Sequence, residues 1–115
     1  MKVFISQPMR GLSDEEIKSN RQKAIDLIML KYNNDAEIID SFIEDDAPED
    51  SNPGAWYLGK SIEAMSMADV VIFLPGWEHA RGCKKEHRIA VEYGFDVGEI
   101  NSDYNKISVY KYYVL

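Results

Sequence analysis

The chain has one cysteine, Cys83, two histidines and four prolines among its 115 residues. It contains no apolar run near the ~20 residues that a bilayer-spanning helix needs. A single thiol excludes an internal disulfide and a multi-cysteine zinc site, and it suits a reducing compartment. The first apolar stretch, Val3 to Ile5, ends at Ser6-Gln7-Pro8, too short for the apolar core of a signal peptide, so a cytoplasmic location is expected. Positive charge is scarce as well: 13 Lys and Arg stand against 20 Asp and Glu, for a formal net charge of −7. That balance argues against a nucleic acid polymer or an anionic membrane as partner. Apolar residues make up 45% of the chain, enough for the core of one domain spanning residues 1–115.

Charge is unevenly distributed. Glu44 to Asp50 carries much of the acidic excess, whereas Arg81, Lys84, Lys85 and Arg88 surround the lone carboxylate Glu86. A small basic cluster on an acidic chain suits a small anion better than a polymer.

Strand and helix signals alternate. Lys2 to Ser6 reads as a buried strand ended by Pro8 and Gly11, and Ser13-Asp14-Glu15-Glu16 is a capping-box pattern that starts a helix. Ile17, Ala24, Ile25 and Ile28 recur at helical spacing, and Asn33-Asn34-Asp35 supplies the stop. Ala36 to Asp40 predicts a second strand, followed by an exposed acidic loop up to Pro53. Ala55 to Met67 predicts a second helix. The nearly unbroken apolar run Asp69 to Leu74 predicts a strand covered on both faces. After Pro75-Gly76, a third helix is expected over Gly82 to Tyr93, closed by Gly94. A weak strand, Phe95 to Val97, and a stronger one, Lys106 to Val114, complete the pattern. The alternation predicts a three-layer, doubly wound α/β sandwich on a mostly parallel sheet of about five strands, with ligands beyond the strand carboxyl ends. The loops to watch are Gln7 to Leu12, Ile43 to Gly54 and Pro75 to Lys84.

Each chemical feature of these loops has a plain alternative. Gln7-Pro8-Met9-Arg10-Gly11 can bring backbone N–H groups, a helix start and a guanidinium to an anion, or it can be a turn with a solvated arginine. Glu86 can be a surface residue paired with neighbouring lysines, or a carboxylate that attacks an electron-poor sugar carbon. His79, Cys83 and His87 recur every four residues, but His79 lies between Gly76 and Gly82, outside the helix, so a shared metal-binding face is not expected. Cys83 reads as buried filler rather than a nucleophile. Trp77 either covers the sheet end or stacks on a base. The aromatic stretch Tyr110 to Leu115 fits either an edge strand or a subunit contact.

Three segments in order, Val3 to Gly11, Met67 to Ile72 and Gly82 to Gly94, make the chain resemble the nucleoside 2-deoxyribosyltransferase superfamily, which includes 5′-monophosphate deoxynucleoside N-glycosidases. The similarity is greatest to small, often phage-borne members that carry a Pro-Gly-Trp-Glu stretch, here Pro75 to Glu78. The resemblance covers roughly residues 2 to 95. It implies a flavodoxin- or Rossmann-like fold and makes Glu86 the nucleophile that attacks C1′ of a (deoxy)ribose and expels the base. It also places Gln7, Pro8, Met9, Arg10 and Gly11 in a loop on the sugar's 5′ side. Ser61, Asp69, Gly76, Trp77 and Gly82 become further substrate-binding positions. No metal or organic cofactor is implied, and a homo-oligomer is expected because a neighbouring subunit often completes the family's site.

One position departs from the pattern. Many members place an aspartate, which assists proton transfer to the leaving base, eight residues before the counterpart of Asp69; here that position is Ser61. A serine hydroxyl is a poor general acid. The expectation is therefore cleavage or transfer of the N-glycosidic bond of a (deoxy)nucleoside or its 5′-monophosphate. The alternatives are a catalytically weak or inactive nucleotide-binding module and a phage-encoded interaction protein that uses its acidic loop.

Overall fold

The computed structural model describes residues 1–111. Five strands and three helices alternate along the chain: β1 (Lys2–Ser6), α1 (Asp14–Lys31), β2 (Glu37–Ile38), α2 (Pro53–Met65), β3 (Val70–Phe73), α3 (Arg81–Glu92), β4 (Asp96–Ile100) and β5 (Ile107–Lys111). A short 3-10 helix, Trp77–His79, precedes α3. The strands form one sheet in the order β2-β1-β3-β4-β5. β1 pairs parallel with β2 and with β3, and β3 pairs parallel with β4. The sheet is mixed because β5 runs antiparallel to β4.

Alternation along the strands divides the core into two. Val3, Ile5, Val70 and Ile72 point to one face and pack with Ala24 and Ile28 of α1. Phe4, Val71, Phe73 and Val97 point to the other, against Met65 of α2 and Ala90 of α3. Every residue of β3 is buried, as expected for a parallel strand with helices on both sides. From β1 the sheet extends to β2 on one side and to β3 on the other. A crevice therefore opens at the carboxyl ends of these strands, where doubly wound sheets hold ligands.

The helix boundaries follow local chemistry. Ser13 caps α1 with the reciprocal Glu16 contact of a capping box, and Asn33 and Asn34 end it with φ of 54° and 61°, a region that asparagine tolerates. α2 starts two residues earlier than its apolar pattern predicts, because the Asn52 side chain accepts the Ala55 N–H and Pro53 occupies the first turn. Gly94, with φ of 77°, follows the end of α3.

Three strands differ from expectation. β2 pairs over only Glu37–Ile38 rather than Ala36 to Asp40: it lies at the sheet edge, and Asp40 turns to accept the Phe42 N–H at 2.9 Å. β4 extends to Ile100, well past Val97, because Gly98 and Glu99 dilute its apolar signal without breaking its pairing. β5 begins at Ile107; the part of the predicted strand beyond Lys111, and most of the Tyr110 to Leu115 stretch, lie outside the described residues.

Gly98 is the tightest glycine. A Cβ there would run into Ile72 Cδ1 and come within 3.2 Å of Val109 Cγ2, and Ile72 is fully buried, so a packed core side chain must shift to admit it. Gly98→Ala is expected to lower stability by about 1–3 kcal/mol. Urea denaturation should show a lower midpoint at unchanged slope; an unchanged midpoint would mean that the sheet centre accommodates the methyl group.

Candidate functional site

β1 ends at Ser6, which is buried although every residue before it from Val3 on is apolar. α3 runs beside that end and carries Glu86 on its inward face, together with Cys83 and Ala90. α2 brings Ser61 to the same point. Ser6 Oγ donates to Glu86 Oε1 at 3.1 Å, and Ser61 Oγ donates to Oε2 at 2.8 Å. The carboxylate is thus held at both oxygens by hydroxyls from two other elements, with the residue only 6% exposed.

The electrostatics differ from the reading of Glu86 as a surface residue paired with neighbouring lysines. Among the described residues the ion pairs are Lys60–Glu63 and Arg88–Glu92, and neither involves Glu86. Burial raises the Glu86 carboxyl above its ordinary 4.5, while the hydrogen bonds from Ser61 and Ser6 act in the opposite direction. Burial also pushes the adjacent Cys83 thiol up to about 11, with the Glu86 charge adding to the effect. Cys83 is accordingly a thiol at neutral pH, as its reading as filler requires.

Glu86 lines a cleft of about 1050 Å³. Its walls come from the end of β1, one face of α1, the loop after β2, and the first turns of α2 and α3. On α1 the lining residues Asp14, Ile17, Lys18 and Arg21 follow one helical stripe. The loop after β2 adds the exposed Phe42 and is tied to α2 where the Ala47 N–H donates to Tyr57 Oη at 3.3 Å.

Of the positions singled out in the sequence, Gln7, Met9, Ser61, Gly82 and Glu86 meet at this cleft. Gln7 also fixes the first loop, because its Nε2 donates to the Ile17 carbonyl at 2.6 Å. Pro8, Arg10, Gly11, Asp69, Gly76 and Trp77 do not line it. Gly11 and Gly76 take left-handed backbone conformations, with Pro8 next to Gly76, and Arg10 is exposed. Asp69 stands just before β3, at the opposite end of the strand from the cleft, and accepts the Lys2 N–H at 2.7 Å. Trp77 covers the sheet end: its ring stacks on His87 at 4.1 Å, and its Nε1 donates to Glu99 Oε1 at 2.8 Å. Burial lowers the His87 imidazole, partly offset by Glu99.

His79, Cys83 and His87 are not gathered together. Among the described residues no group of three or more His, Cys, Asp or Glu side chains is placed to hold a metal ion, and no helix is long and apolar enough to cross a membrane.

A family model described as a domain of unknown function, DUF4406, matches residues 1–98, a span that holds Ser6, Ser61, Glu86 and the whole cleft lining. The chain belongs to the DUF4406 family. None of the curated proteins and none of the solved structures matches it. Within this DUF4406 chain, β5 lies outside the matched span, so the match covers the parallel part of the sheet that forms the cleft.

Sequence reasoning missed Ser6, Lys18, Arg21, Phe42 and Tyr57. Ser6 had a readable signal, a polar residue closing an apolar strand at its carboxyl end. The α1 stripe had one too, since Asp14, Lys18 and Arg21 are spaced four and three residues apart. Phe42 and Tyr57 had none, because a loop's path sets their position.

The raised Glu86 titration has a signed consequence for stability. The folded value lies above the unfolded one, so the stability that this group contributes is present below about pH 4.5 and is lost as pH rises through the folded value. Glu86→Gln removes the charge and keeps a side chain of the same shape, whose oxygen accepts from one serine while its amide N–H donates to the hydroxyl of the other. Its melting temperature should exceed that of the wild type by a few degrees at pH 8, and the two should converge near pH 4. A gap of constant size across that range would contradict the assignment.

Proposed function

We propose that the protein cleaves or exchanges the N-glycosidic bond of a (deoxy)nucleoside or nucleoside 5′-monophosphate through a covalent glycosyl ester on Glu86. The observation that carries this reading is a buried carboxylate, held at both oxygens by Ser6 and Ser61, in the wall of a large cleft at the carboxyl ends of β1 and β2. Support also comes from the resemblance of the Val3 to Gly11, Met67 to Ile72 and Gly82 to Gly94 segments to the nucleoside 2-deoxyribosyltransferases, including their flavodoxin-like architecture. In that superfamily a glutamate at the position of Glu86 is the nucleophile.

The chemistry follows from the geometry. The serine hydroxyls fix the plane of the carboxylate and leave further lone pairs for a sugar carbon. One oxygen of ionised Glu86 forms a bond to C1′ as the C1′–N bond breaks; the electron pair leaves with the base, which takes a proton from solvent water. Water or a second base then attacks C1′, the C1′–O bond to Glu86 breaks to restore the carboxylate, and the proton lost by the attacking group returns to solvent. Burial strips water from the nucleophile, and the two hydroxyls keep it oriented, so little reorganisation is needed as the bond forms. The reaction requires the ionised form, so the rate should rise with pH through the raised Glu86 value.

Ser61 favours a second reading, a nucleotide-binding module with little turnover. An aspartate in its place would set a second carboxyl group against Glu86, a pairing suited to holding a proton for the leaving base. The serine supplies only a hydrogen bond.

The test is incubation with a panel of nucleosides and 5′-monophosphates, with and without an acceptor base, with free base followed by chromatography. Base release or exchange is expected and should fall at least about a thousandfold in Glu86→Gln. No release from any member, together with binding of one, would replace the glycosidic reading with the binding module.

A further inference from the structure

We infer that the cleft takes a nucleotide whose 5′ side carries a pyrophosphate, as in a nucleoside diphosphate or a pyrophosphate-bridged dinucleotide, held between a cationic pair on α1 and another on α3. The inference rests on reading this cleft as the nucleotide site proposed above and extends that site beyond a single phosphate.

Four cations line the cleft of a chain with net charge −7: Lys18 and Arg21 on α1, and Arg81 and Lys85 on α3. Each pair is spaced three or four residues apart, so its members share a helix face. None of the four forms an ion pair among the described residues, where Lys60–Glu63 and Arg88–Glu92 are the recorded pairs. The lining carboxylates are Asp14, Asp40 and Glu86. Asp40 already accepts the Phe42 N–H, Glu86 is bound to two serines, and Asp14 stands in the first turn of α1.

No ion pair among the described residues explains the position of Arg81. A Cβ on Gly54 would lie 3.2 Å from Arg81 Nη2, so the guanidinium rests against the first turn of α2. That turn contains no acidic residue, nor does the first turn of α3. A guanidinium at the positive end of a helix is repelled unless an anion lies between them.

The layer arrangement favours more than one phosphate. α1 covers one face of the sheet, whereas α2 and α3 cover the other, so the two cationic pairs approach the strand ends from opposite sides. A ligand with two linked phosphates offers one to each pair, and a cleft of about 1050 Å³ also has room for a nucleoside.

The test is calorimetric titration of the full chain, at fixed ionic strength, with inorganic phosphate, inorganic pyrophosphate, adenosine monophosphate, adenosine diphosphate and the dinucleotide NAD. Pyrophosphate should bind at least about tenfold more tightly than phosphate, and the diphosphate or the dinucleotide should exceed the monophosphate by a similar factor. The tighter of those two identifies the source of the pyrophosphate. Arg21→Gln and Arg81→Gln, each checked for an unchanged melting temperature, should each remove most of the ratio. A ratio near one, no binding of any pyrophosphate compound, or a ratio that survives both substitutions would overturn the inference. Base release from monophosphates with a ratio near one would sink this inference alone, and a high ratio with no base release from any nucleotide would sink the glycosidic reading alone.

Discussion

Ser6 at the end of β1 and Ser61 on α2 both donate to the carboxylate of Glu86 on α3, so a single side chain is fixed only when three elements are docked together. Its burial carries a desolvation cost that two neutral hydroxyls reduce without abolishing, and this keeps the carboxyl raised. The rest of the structure bears that cost. Phe4, Val71, Phe73 and Ala90 pack beneath the site with essentially no exposure, which holds β1, β3 and α3 rigidly enough for the serine contacts to persist.

The same constraint accounts for the charge distribution around the cleft. A cation paired directly with Glu86 would hold it ionised and occupy the space in front of it. The basic residues that share the cleft instead stand on its walls, while Arg88 pairs with Glu92 on the outer side of α3. The basic cluster that looks uniform in sequence is therefore divided by helix geometry: Arg81 and Lys85 face the cleft, and Lys84 does not. An acidic chain can concentrate a small anion in this way without attracting polyanions to its surface.

Much of the architecture is legible in the sequence because local signals agree with tertiary ones. The capping box at Ser13, the apolar run of β3 and Gly94 after α3 each mark a boundary within about two residues. β4 is harder to read because Gly98 serves a packing need, and glycine reads as a break in any pattern based on side chains. The motif singles out Glu86; its lack of an ion pair among the described residues is not legible, because only burial and helix phase decide which neighbours it meets. Arg10 and Trp77 show the converse. Both follow strands at the cleft end of the sheet, Trp77 in the short 3-10 helix, yet Arg10 is exposed and Trp77 is turned onto His87 and Glu99. Loop membership predicts which end of the sheet a residue occupies, not which way its side chain faces.

The proposed chemistry requires the Glu86 carboxylate to bond covalently to a sugar. The most direct measurement is intact-mass spectrometry of the protein after rapid acid quenching during incubation with the nucleoside and nucleotide panel, followed by peptide mapping. A mass increase equal to the sugar, with its phosphate where present, is expected on the peptide that contains Glu86 and should be missing in Glu86→Gln. Base release with no adduct on that peptide at any quench time, or an adduct that persists in Glu86→Gln, would contradict it.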